Sequence, residues 1–396
     1  MAPELGDCDV TTFRLPPSRT SMPRSGIRAF MDLAWAAKDV IHLEVGEPNF
    51  PTPPHIVEAA ARAARGGQTK YVANAGIDEL RQAIADKLGT RNGWAVSKDD
   101  VVVTAGGVQA LYLSLLALLE PGDGVLVPDP GWPNFRMITA VLNGMVQPYP
   151  LRALEQYQPC VEDLEAALTP ATKAVILNSP SNPLGSVVSA ARLSDILAWS
   201  RDRGLWVISD ECYDEIVFGE GFVSTGALGS APNVISCYSF SKTYAMTGWR
   251  VGYAVATDED VRNCLAKLQE PVISCVNAPA QAAALAALEG PQDVVAEMRD
   301  AYLARRDAAV QALGAGGVQV RVPSGAFYLW ADVSPWGTDD WELASSLLTK
   351  AGVAVAPGTA FGANGAGFVR ISLATEMPAL LEGISKLLDY LATRHR

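Results

Sequence analysis

Apolar and polar positions along the chain follow two alternating periods from about Ile56 onward. Segments with apolar residues three or four positions apart, as on one face of a helix, are separated by short runs of consecutive apolar residues, as in buried strands. The first helical segments are 56–65, 77–88 and 107–119, and the first apolar runs are 101–103 and 125–127. Helices that alternate with strands in this way are typical of a parallel sheet with helical crossovers.

The same alternation continues through the middle of the chain. A helical segment at 190–203 is flanked by apolar runs at 174–177, 205–208 and 234–238. These runs contain almost no polar residue, which is typical of strands that are covered on both faces. The pattern therefore predicts a large α/β domain with a doubly wound, mostly parallel sheet.

The pattern changes after Pro279 and predicts a second, smaller α+β domain. Its expected elements are a long Ala-rich helix at about 280–313, short strands near 318–322 and 326–331, and a closing helix at 378–393. The N-terminal arm is expected to pack with this domain or with a partner subunit. The expected boundaries are 1–49 for the arm and part of the small domain, 50–285 for the large domain, and 286–396 for the rest of the small domain.

The composition favours a folded metabolic enzyme over a binding protein for polyanions. Of the 396 residues, 49% are hydrophobic and 19% are charged, and the formal net charge is -12. This charge would repel phosphate backbones and anionic membranes, so neither nucleic acid nor a membrane is expected as a partner. The stretch from Met1 to Val10 has no apolar core of signal-peptide length, and the apolar stretch 110–119 is too short to span a bilayer. We therefore expect a cytoplasmic protein.

The cysteines and histidines do not suggest a metal site. The six cysteines, at positions 8, 160, 212, 237, 264 and 275, form no C-x-x-C pair, which favours reduced thiols packed as small core residues. The histidines are His42, His55 and His395, and none lies at ligand spacing from another histidine or a cysteine. We therefore expect no metal and no Ser-His-Asp triad.

A lysine follows the apolar run 234–238 directly. Ser239-Phe240-Ser241-Lys242 is expected at the carboxyl end of a strand, where open α/β sheets bind ligands, and Arg250 follows eight residues later. A lysine that is buried beside another cation loses its proton more easily and can form an imine with a carbonyl cofactor. The guanidinium of Arg250 and the hydroxyl of Ser239 suit a phosphate group. The trio fits a phosphorylated aldehyde, with a simple polar turn as the alternative.

An acid and a phenol follow the neighbouring run 205–208. Asp210 could keep a pyridine nitrogen protonated, and Tyr213 could donate a hydrogen bond to a ring oxygen, which together make the ring a better electron sink. An N-cap followed by a core aromatic is the commoner reason for this spacing, so the pair alone leaves both interpretations open.

Two further loops are expected at the same edge of the sheet. Prolines on both sides of Asn182 fix a rigid loop that can direct this side chain into the crevice, although a turn explains it as well. Gly106 and Gly107 join a strand to a helix, and the free N–H groups at the start of a helix form a natural phosphate site. The glycines match neither the Walker A motif nor G-x-G-x-x-G, so this signal is weak alone.

Taken together, the motifs resemble the class I/II pyridoxal-phosphate-dependent aminotransferases in order and spacing, from about residue 25 to near the end of the chain. They look most like the aspartate-aminotransferase-like branch of fold type I. The resemblance implies pyridoxal 5'-phosphate as cofactor, an amino acid and a 2-oxo acid as substrates, and a homodimer. The motifs are those at 46–53, Tyr71, 75–76, 178–185, 210–213, 239–242, 248–253, 323–328 and 368–372.

The resemblance also implies a role for each candidate residue. Lys242 would form the Schiff base and act as general base. The cofactor ring would be held by Asp210 on the pyridine nitrogen, by Tyr213 and Asn182 on the phenolic oxygen, and by Trp132 stacked on its face. The phosphate would be held by Arg250, Ser239, the backbone of Gly106, Gly107 and Val108, and Tyr71 from the other subunit. The substrate carboxylate would be held by Arg370, with Gly46 and Asn182 close by.

Two positions depart from the family pattern. Relatives with aspartate activity in this branch carry a lysine where this chain has Val108, and the usual Asn-Pro-Thr-Gly reads Asn182-Pro183-Leu184-Gly185. The first change removes a group that recognises a distal carboxylate, and the second removes a hydroxyl near the cofactor. Aspartate is therefore a doubtful substrate.

Two alternatives to amino transfer remain at this stage. A lyase, a γ-replacement enzyme or an oxidase would use the same cofactor and the same early proton transfer, and the motifs do not separate these outcomes. A ligand-sensing protein that lacks activity is the other alternative. The retention of Lys242, Asp210 and Arg250 together argues against it, as does the expectation that the residues before position 25 leave no room for a DNA-binding module.

Overall fold

The computed structural model of the protein describes residues 14–20, 22, 24–219, 221–229 and 232–394. The expectations for Cys8, for His395 and for the stretch from Met1 to Val10 lie outside these residues. In chain order, the strands are β1 (Ile41–His42), β2 (Val101–Thr104), β3 (Gly124–Asp129), β4 (Met145–Pro150), β5 (Thr172–Asn178), β6 (Trp206–Asp210), β7 (Val234–Ser239), β8 (Gly252–Val255), β9 (Gln319–Val320), β10 (Tyr328–Asp332), β11 (Val353–Ala354), β12 (Ala356–Pro357) and β13 (Phe368–Ser372).

Helices surround these strands, and the sequence pattern predicts only some of them. In chain order, they are α1 (Pro17–Thr20), α2 (Gly26–Ala36), α3 (Pro54–Arg65), α4 (Asp78–Arg91), α5 (Gly107–Leu118), α6 (Pro133–Val141), α7 (Val161–Ala167), α8 (Ala190–Asp202), α9 (Phe240–Thr243), α10 (Glu259–Ile273), α11 (Ala278–Glu289), α12 (Asp293–Ala315), α13 (Asp340–Ala351) and α14 (Met377–Ala392). Within the described residues, no helix combines the length and apolar character needed to cross a membrane.

A seven-stranded sheet forms the centre of the large domain, in the order β2-β8-β7-β6-β5-β3-β4. Only β8 runs antiparallel to its neighbours in this sheet. Successive side chains of a strand point to opposite faces. Val175 and Leu177 of β5 accordingly pack with α7 and α8, whereas Ala174 and Ile176 pack with α5 and α10 on the other face. The prediction of a doubly wound, mostly parallel sheet is confirmed.

The parallel register aligns the strand ends that carry the candidate residues. Asn178 of β5 pairs with Asp210 of β6, and Asp210 pairs with Cys237 of β7. Ser239 ends β7, and α9 with Lys242 follows at once. The carboxyl ends of three neighbouring strands therefore meet at one edge of the sheet, as the sequence predicts.

A smaller α+β unit is built from both ends of the described chain. Its sheets have the orders β12-β13-β10-β9 and β1-β11. Phe30 and Ala34 of α2 share one core with residues of α12, α13 and α14. The predicted smaller α+β unit is thus present, while the exact boundaries at 49/50 and 285/286 stay a prediction.

The predicted single helix at 280–313 is wrong, because the structure has two helices there. α11 ends at Glu289 and α12 begins at Asp293. Pro291 disfavours helical backbone at the residue before it, and Gly290 is accordingly extended, with φ -79° and ψ -175°. The Gly-Pro pair is therefore the physical cause of the break.

An ion pair is buried between α4 and the loop that follows β6. The side chains of Lys87 and Asp214 are each 6% exposed, and the ammonium of Lys87 contacts the carboxylate of Asp214 and lies 3.5 Å from that of Glu215. Asn92 also donates a hydrogen bond to Asp214, at 3.2 Å. Asp214 follows Tyr213 directly, so the pair fixes the loop that carries a candidate site residue.

Replacement of Lys87 by methionine is expected to lower the free energy of unfolding by about 3–5 kcal/mol, because it leaves a buried carboxylate without its cation. Lys98→Met is the control, since the pair of Lys98 with Asp78 is exposed, at 37% and 61% for the two side chains. The control should cost less than about 1 kcal/mol. Urea unfolding of both variants measures the difference, and equal losses would contradict the assignment.

Candidate active site

A cavity opens where β5, β6 and β7 end and α5 begins. It brings together most of the residues that the sequence predicts for the site, although they come from distant parts of the chain. The predicted residues that line it are Gly46, Gly107, Val108, Trp132, Asn182, Asp210, Tyr213, Ser239, Lys242, Arg250 and Arg370. Gly106 lies beside this cavity, against Arg250, and Tyr71 lies outside it with 86% of its surface exposed.

Lys242 provides an amine that is shielded from water. Its Nζ donates a hydrogen bond to the carbonyl oxygen of Gly46, at 2.7 Å. The pKa of Lys242 is lowered to about 8, chiefly by burial and also by the positive charges of Arg370 and Arg250, against the opposing effect of Cys212 and Glu47. About a tenth of such an amine is neutral at pH 7, against less than about a thousandth for a lysine with the ordinary pKa of about 10.4, and the neutral form is the one that attacks a carbonyl group.

Asp210 provides an acid in the same cavity. Its side chain is 3% exposed, and its Oδ1 accepts a hydrogen bond from the backbone N–H of Cys212, at 3.1 Å. Burial raises the pKa of Asp210 to about 6, and the charge of Lys242 acts in the opposite direction. A carboxyl group of this kind becomes ionised when a cationic N–H group is placed beside it.

Arg370 provides a buried guanidinium that retains a free donor. The residue is 1% exposed, its Nη1 donates to Oδ1 of Asn182 at 2.9 Å, and its Nη2 donates to the carbonyl oxygen of Glu44. Its Nε has no hydrogen-bond partner among the described residues. The guanidinium also lies 4.3 Å from the ring centroid of Tyr328. An incoming carboxylate would supply the missing acceptor, since a guanidinium binds carboxylates through two parallel hydrogen bonds.

The start of α5 and Arg250 form a cradle for an anion. In the described part of the chain, the N–H groups of Gly107 and Val108 have no acceptor, as is usual at a helix start. Arg250 is held beside them, since its Nη1 donates to the carbonyl of Thr247 at 2.8 Å and its Nη2 to that of Ala105 at 3.3 Å. A Cβ atom at Gly106 would lie 2.3 Å from Nη2 of Arg250, so only glycine permits this approach.

The remaining predicted residues complete the walls of the cavity. The hydroxyl of Tyr213 lies 2.8 Å from that of Tyr328 in a hydrogen bond. Trp132 precedes α6 and packs edge-on against Phe135, with ring centroids 5.6 Å apart. Ser239 caps α9, and its hydroxyl accepts a hydrogen bond from the N–H of Ser241 at 3.2 Å.

Several lining residues were not identified from the sequence. Four positions of the segment that leads into α2 and of α2 itself face the cavity at helical spacing: Arg24, Ile27, Arg28 and Met31. The helical period of 27–34 is visible in the sequence and could have revealed this face. Tyr328 lies in the motif at 323–328, but the family resemblance assigned it no role in the site.

The expectation that the cysteines are small core residues is only partly right. Among the described cysteines all are free, but only Cys160 and Cys237 are buried. Cys212 lines the cavity, and Cys264 and Cys275 are half-buried. Cys212 comes two residues after Asp210, and both side chains line the same cavity at the end of β6. Within the described residues, no cluster of His, Cys, Asp or Glu could hold a metal ion.

The raised pKa of Asp210 makes the stability of the cofactor-free protein depend on pH. The folded state binds the proton more tightly than the unfolded state, so stability falls as pH rises from about 4 to 6. The shift from 3.8 to about 6 corresponds to about 3 kcal/mol. Asp210→Asn is therefore expected to be more stable than the wild type by up to this amount at pH 8, with the difference vanishing near pH 4.

Urea unfolding of the cofactor-free protein between pH 4 and pH 8 measures this effect. Asp389→Asn is the control, because Asp389 is exposed on α14 and should show no such pH dependence. An Asp210→Asn variant that is less stable than the wild type at pH 8 would show that the carboxylate is not destabilised by burial.

The comparisons with known proteins agree with this geometry. Residues 38–387 match the model of the family "Aminotransferase class I and II". A probable aspartate/prephenate aminotransferase of Aquifex aeolicus is 42% identical over 358 residues, which cover 88% of this chain and 90% of the relative. An aspartate/prephenate aminotransferase of Cereibacter sphaeroides is 38% identical, with 96% and 98% covered. The structure of aspartate aminotransferase from Thermus thermophilus with maleate superposes with a TM-score of 0.91 at 35% identity, covering 96% of this chain and all of that one. The chain therefore belongs to the class I and II aminotransferases, and it is an aminotransferase with the fold type I architecture.

Proposed function

We propose that the cavity binds pyridoxal 5'-phosphate, linked covalently to Lys242, and that the enzyme transfers an amino group between an L-amino acid and a 2-oxo acid. One observation supports this most directly: three complementary groups line the same cavity. Lys242 provides an amine with a lowered pKa, Asp210 a buried acid, and Arg250 a cation for the phosphate. When bound, the cofactor supplies an electron sink for the negative charge that develops at the substrate Cα.

The residues present fit this cofactor at both of its ends. The phosphate would be held by Arg250, by the hydroxyl of Ser239 and by the N–H groups of Gly107 and Val108 at the start of α5. The N–H of Gly106, which the resemblance also implied, instead donates to the carbonyl of Thr104 at 2.8 Å. The glycine at 106 supports this, because a side chain there would collide with the guanidinium of Arg250. Asp210 would face the ring nitrogen at the other end, where its raised pKa falls once it faces a cation.

The walls of the cavity would orient the ring. Tyr213 and Asn182 would donate hydrogen bonds to the phenolic oxygen, and Trp132 would stack on the face of the ring. The bond between the hydroxyls of Tyr213 and Tyr328, at 2.8 Å, holds the phenol of Tyr213 in a fixed direction. These contacts would keep the reacting atoms in line, and positioning of this kind is a large part of catalysis.

The substrate would be held by its α-carboxylate and would react beside Lys242. Arg370 would donate a hydrogen bond from its unpaired Nε to the carboxylate, with Asn182 and the backbone of Gly46 at the same place. The free amine of Lys242 would take the proton from the substrate Cα and return it to the aldehyde carbon of the cofactor, as a general acid-base group with a pKa of about 8.

We also propose a homodimer in which Tyr71 reaches the phosphate of the partner subunit. Tyr71 is 86% exposed, which is unusual for a large aromatic side chain and supports contact with another chain. The free cysteines of the described part support a reducing compartment such as the cytoplasm.

The part of the cavity that would hold the substrate side chain fits a bulky apolar amino acid better than aspartate, although several relatives are named for aspartate. Val108, Met31 and Met137 line this end. The nearby guanidinium of Arg24 is paired with Asp32, and that of Arg28 lies 5.6 Å from the ring of Trp35.

Loss of the amine is expected to abolish the reaction. Lys242→Ala should lose both turnover and the absorption band of the covalently bound cofactor, because no other amine lines the cavity among the described residues. Lys173→Ala is the matched control, since Lys173 is an exposed lysine of β5 and should retain both. A Lys242→Ala variant that kept turnover and the band would disprove the assignment.

A cation at position 108 is expected to shift the substrate preference toward aspartate. Val108→Lys should raise the ratio of kcat/KM for aspartate to that for leucine by about 10- to 150-fold, the equivalent of about 1.5–3 kcal/mol for a charge-assisted hydrogen bond. Val108→Met, which changes the volume without adding a charge, should leave the ratio nearly unchanged. Wild-type protein that already prefers aspartate would contradict the proposed apolar preference.

A further inference from the structure

One extended segment connects the two groups on which the proposed reaction depends. The carbonyl oxygen of Glu44 accepts a hydrogen bond from Arg370, and that of Gly46 accepts one from Lys242 at 2.7 Å. The segment is anchored at its start, where the hydroxyl of Thr375 donates to the carbonyl of His42 at 2.9 Å. A shift of this segment would therefore move the hydrogen-bond acceptors of both functional side chains.

Glu44 has an unusual environment within this segment. Its side chain is 0% exposed, and its Oε1 lies 2.8 Å from Nδ1 of His42 in a hydrogen bond. Its Oε2 has no partner among the described residues. An unpaired polar atom in the interior costs about 1–3 kcal/mol and calls for an explanation. Burial also raises the pKa of Glu44, against the lowering effects of His42 and Arg370.

Arg370 has no carboxylate in contact among the described residues. Besides its two hydrogen bonds, to Asn182 and to the Glu44 carbonyl, Arg370 interacts electrostatically with Tyr328, Tyr213 and Glu44 and with the amine of Lys242. Glu44 is the carboxyl group among them. A buried cation of this kind is influenced strongly by the charge state of a nearby carboxyl, because the interior screens charge less than water does.

We propose that His42 and Glu44 form a positioning pair that controls how strongly Arg370 binds a carboxylate. The pair carries one negative charge when it holds no proton, and it is neutral when it holds one proton, whichever residue carries it. The negative state partly compensates Arg370 and weakens its attraction for the substrate carboxylate. In the neutral state the pair does not compensate the positive charge of Arg370, which then attracts the substrate carboxylate more strongly. Carboxylate binding should therefore tighten as the pH falls and the pair takes up its proton.

The geometry gives each member of the pair a distinct part. The side chain of His42 is 37% exposed and can exchange protons with solvent, whereas that of Glu44 is fully buried. The charged groups that act on Glu44 are His42, from the same segment, and Arg370, from β13. β11 and α14 bring the apolar or small residues Val353, Ala354 and Gly383 to this segment. The titratable groups that the other elements bring to its backbone are the amine of Lys242 and the phenol of Tyr328, both at Gly46.

Titration of the holoenzyme with 3-phenylpropanoate, a carboxylate without an amino group, tests this proposal between pH 5.5 and pH 9. The double variant His42→Gln/Glu44→Gln keeps the backbone carbonyl and the approximate size of both side chains but removes both groups that can hold the proton, so this pair carries no charge at any pH. It is expected to bind the probe about three- to tenfold more tightly than the wild type at pH 9, and about equally at pH 5.5, as for one charge in a partly screened interior. The ratio of the two dissociation constants at each pH cancels the titration of the cofactor and of the probe.

A merely structural role for Glu44 predicts the opposite sign. The double variant would then bind the probe more weakly at every pH, and this result would overturn the proposal, as would a ratio that does not change with pH. His42→Gln provides a second test, because the unpartnered Glu44 carboxyl should titrate at a different pH and move the midpoint of the wild-type profile. An unmoved midpoint would also overturn it. Glu382→Gln removes the same charge from the exposed surface of α14 and should change nothing.

The proposal rests on the proposed role of Arg370, and one more variant separates the two. If Arg370→Ala binds the probe as tightly as the wild type, Arg370 is not the carboxylate site and the proposed function fails at this residue. If Arg370→Ala loses binding while the double variant shows a pH-independent ratio, the carboxylate site stands and only the role of the His42 and Glu44 pair is overturned.

Discussion

The site depends on one amine being kept out of water without being neutralised by a carboxylate. Lys242 donates its hydrogen bond to a backbone carbonyl, that of Gly46, rather than to an acid. Burial therefore lowers its pKa to about 8, and the arginines across the cavity act in the same direction. An amine in this state is a nucleophile near neutral pH, whereas a surface lysine with a pKa of about 10.4 is almost fully protonated.

The same dry cavity moves its acid toward neutrality as well. Asp210, at the end of β6, has a pKa raised to about 6 by burial. A cofactor with a cationic ring nitrogen would reverse this shift, and its phosphate would satisfy the donors left free at the start of α5. The free donor of Arg370 would be satisfied by the substrate carboxylate. The cavity is thus destabilising by itself and is complemented by a charged ligand. Sites that are organised for function commonly carry such a cost in stability.

Much of the architecture could be predicted from the sequence, because the strands of the large sheet are covered on both faces and read as unbroken apolar runs. Lys242, Asp210 and Asn182 follow these runs directly, so their convergence follows from the parallel register. Arg370 could not be found in this way. It lies in β13 of the smaller sheet, and only the resemblance to a family assigned it to the site.

Other features depend on tertiary contacts that have no sequence pattern. The Gly290-Pro291 break was overlooked because the alanine-rich composition on both sides favours helix. Glu44 reads as an ordinary polar residue, and its importance appears only when its carbonyl is found on Arg370 and its carboxyl is found buried beside His42. The face of α2 that lines the cavity was likewise hidden in a segment interpreted as an arm.

Borohydride reduction of the holoenzyme, followed by peptide mass mapping, tests the central claim most directly. Reduction turns the covalent link between the cofactor and its lysine into a stable bond, so the modified residue can be identified without reliance on activity. The account predicts a single phosphopyridoxyl group on the peptide that contains Lys242. A modification on any other lysine, or none on protein that has retained the cofactor, would contradict it.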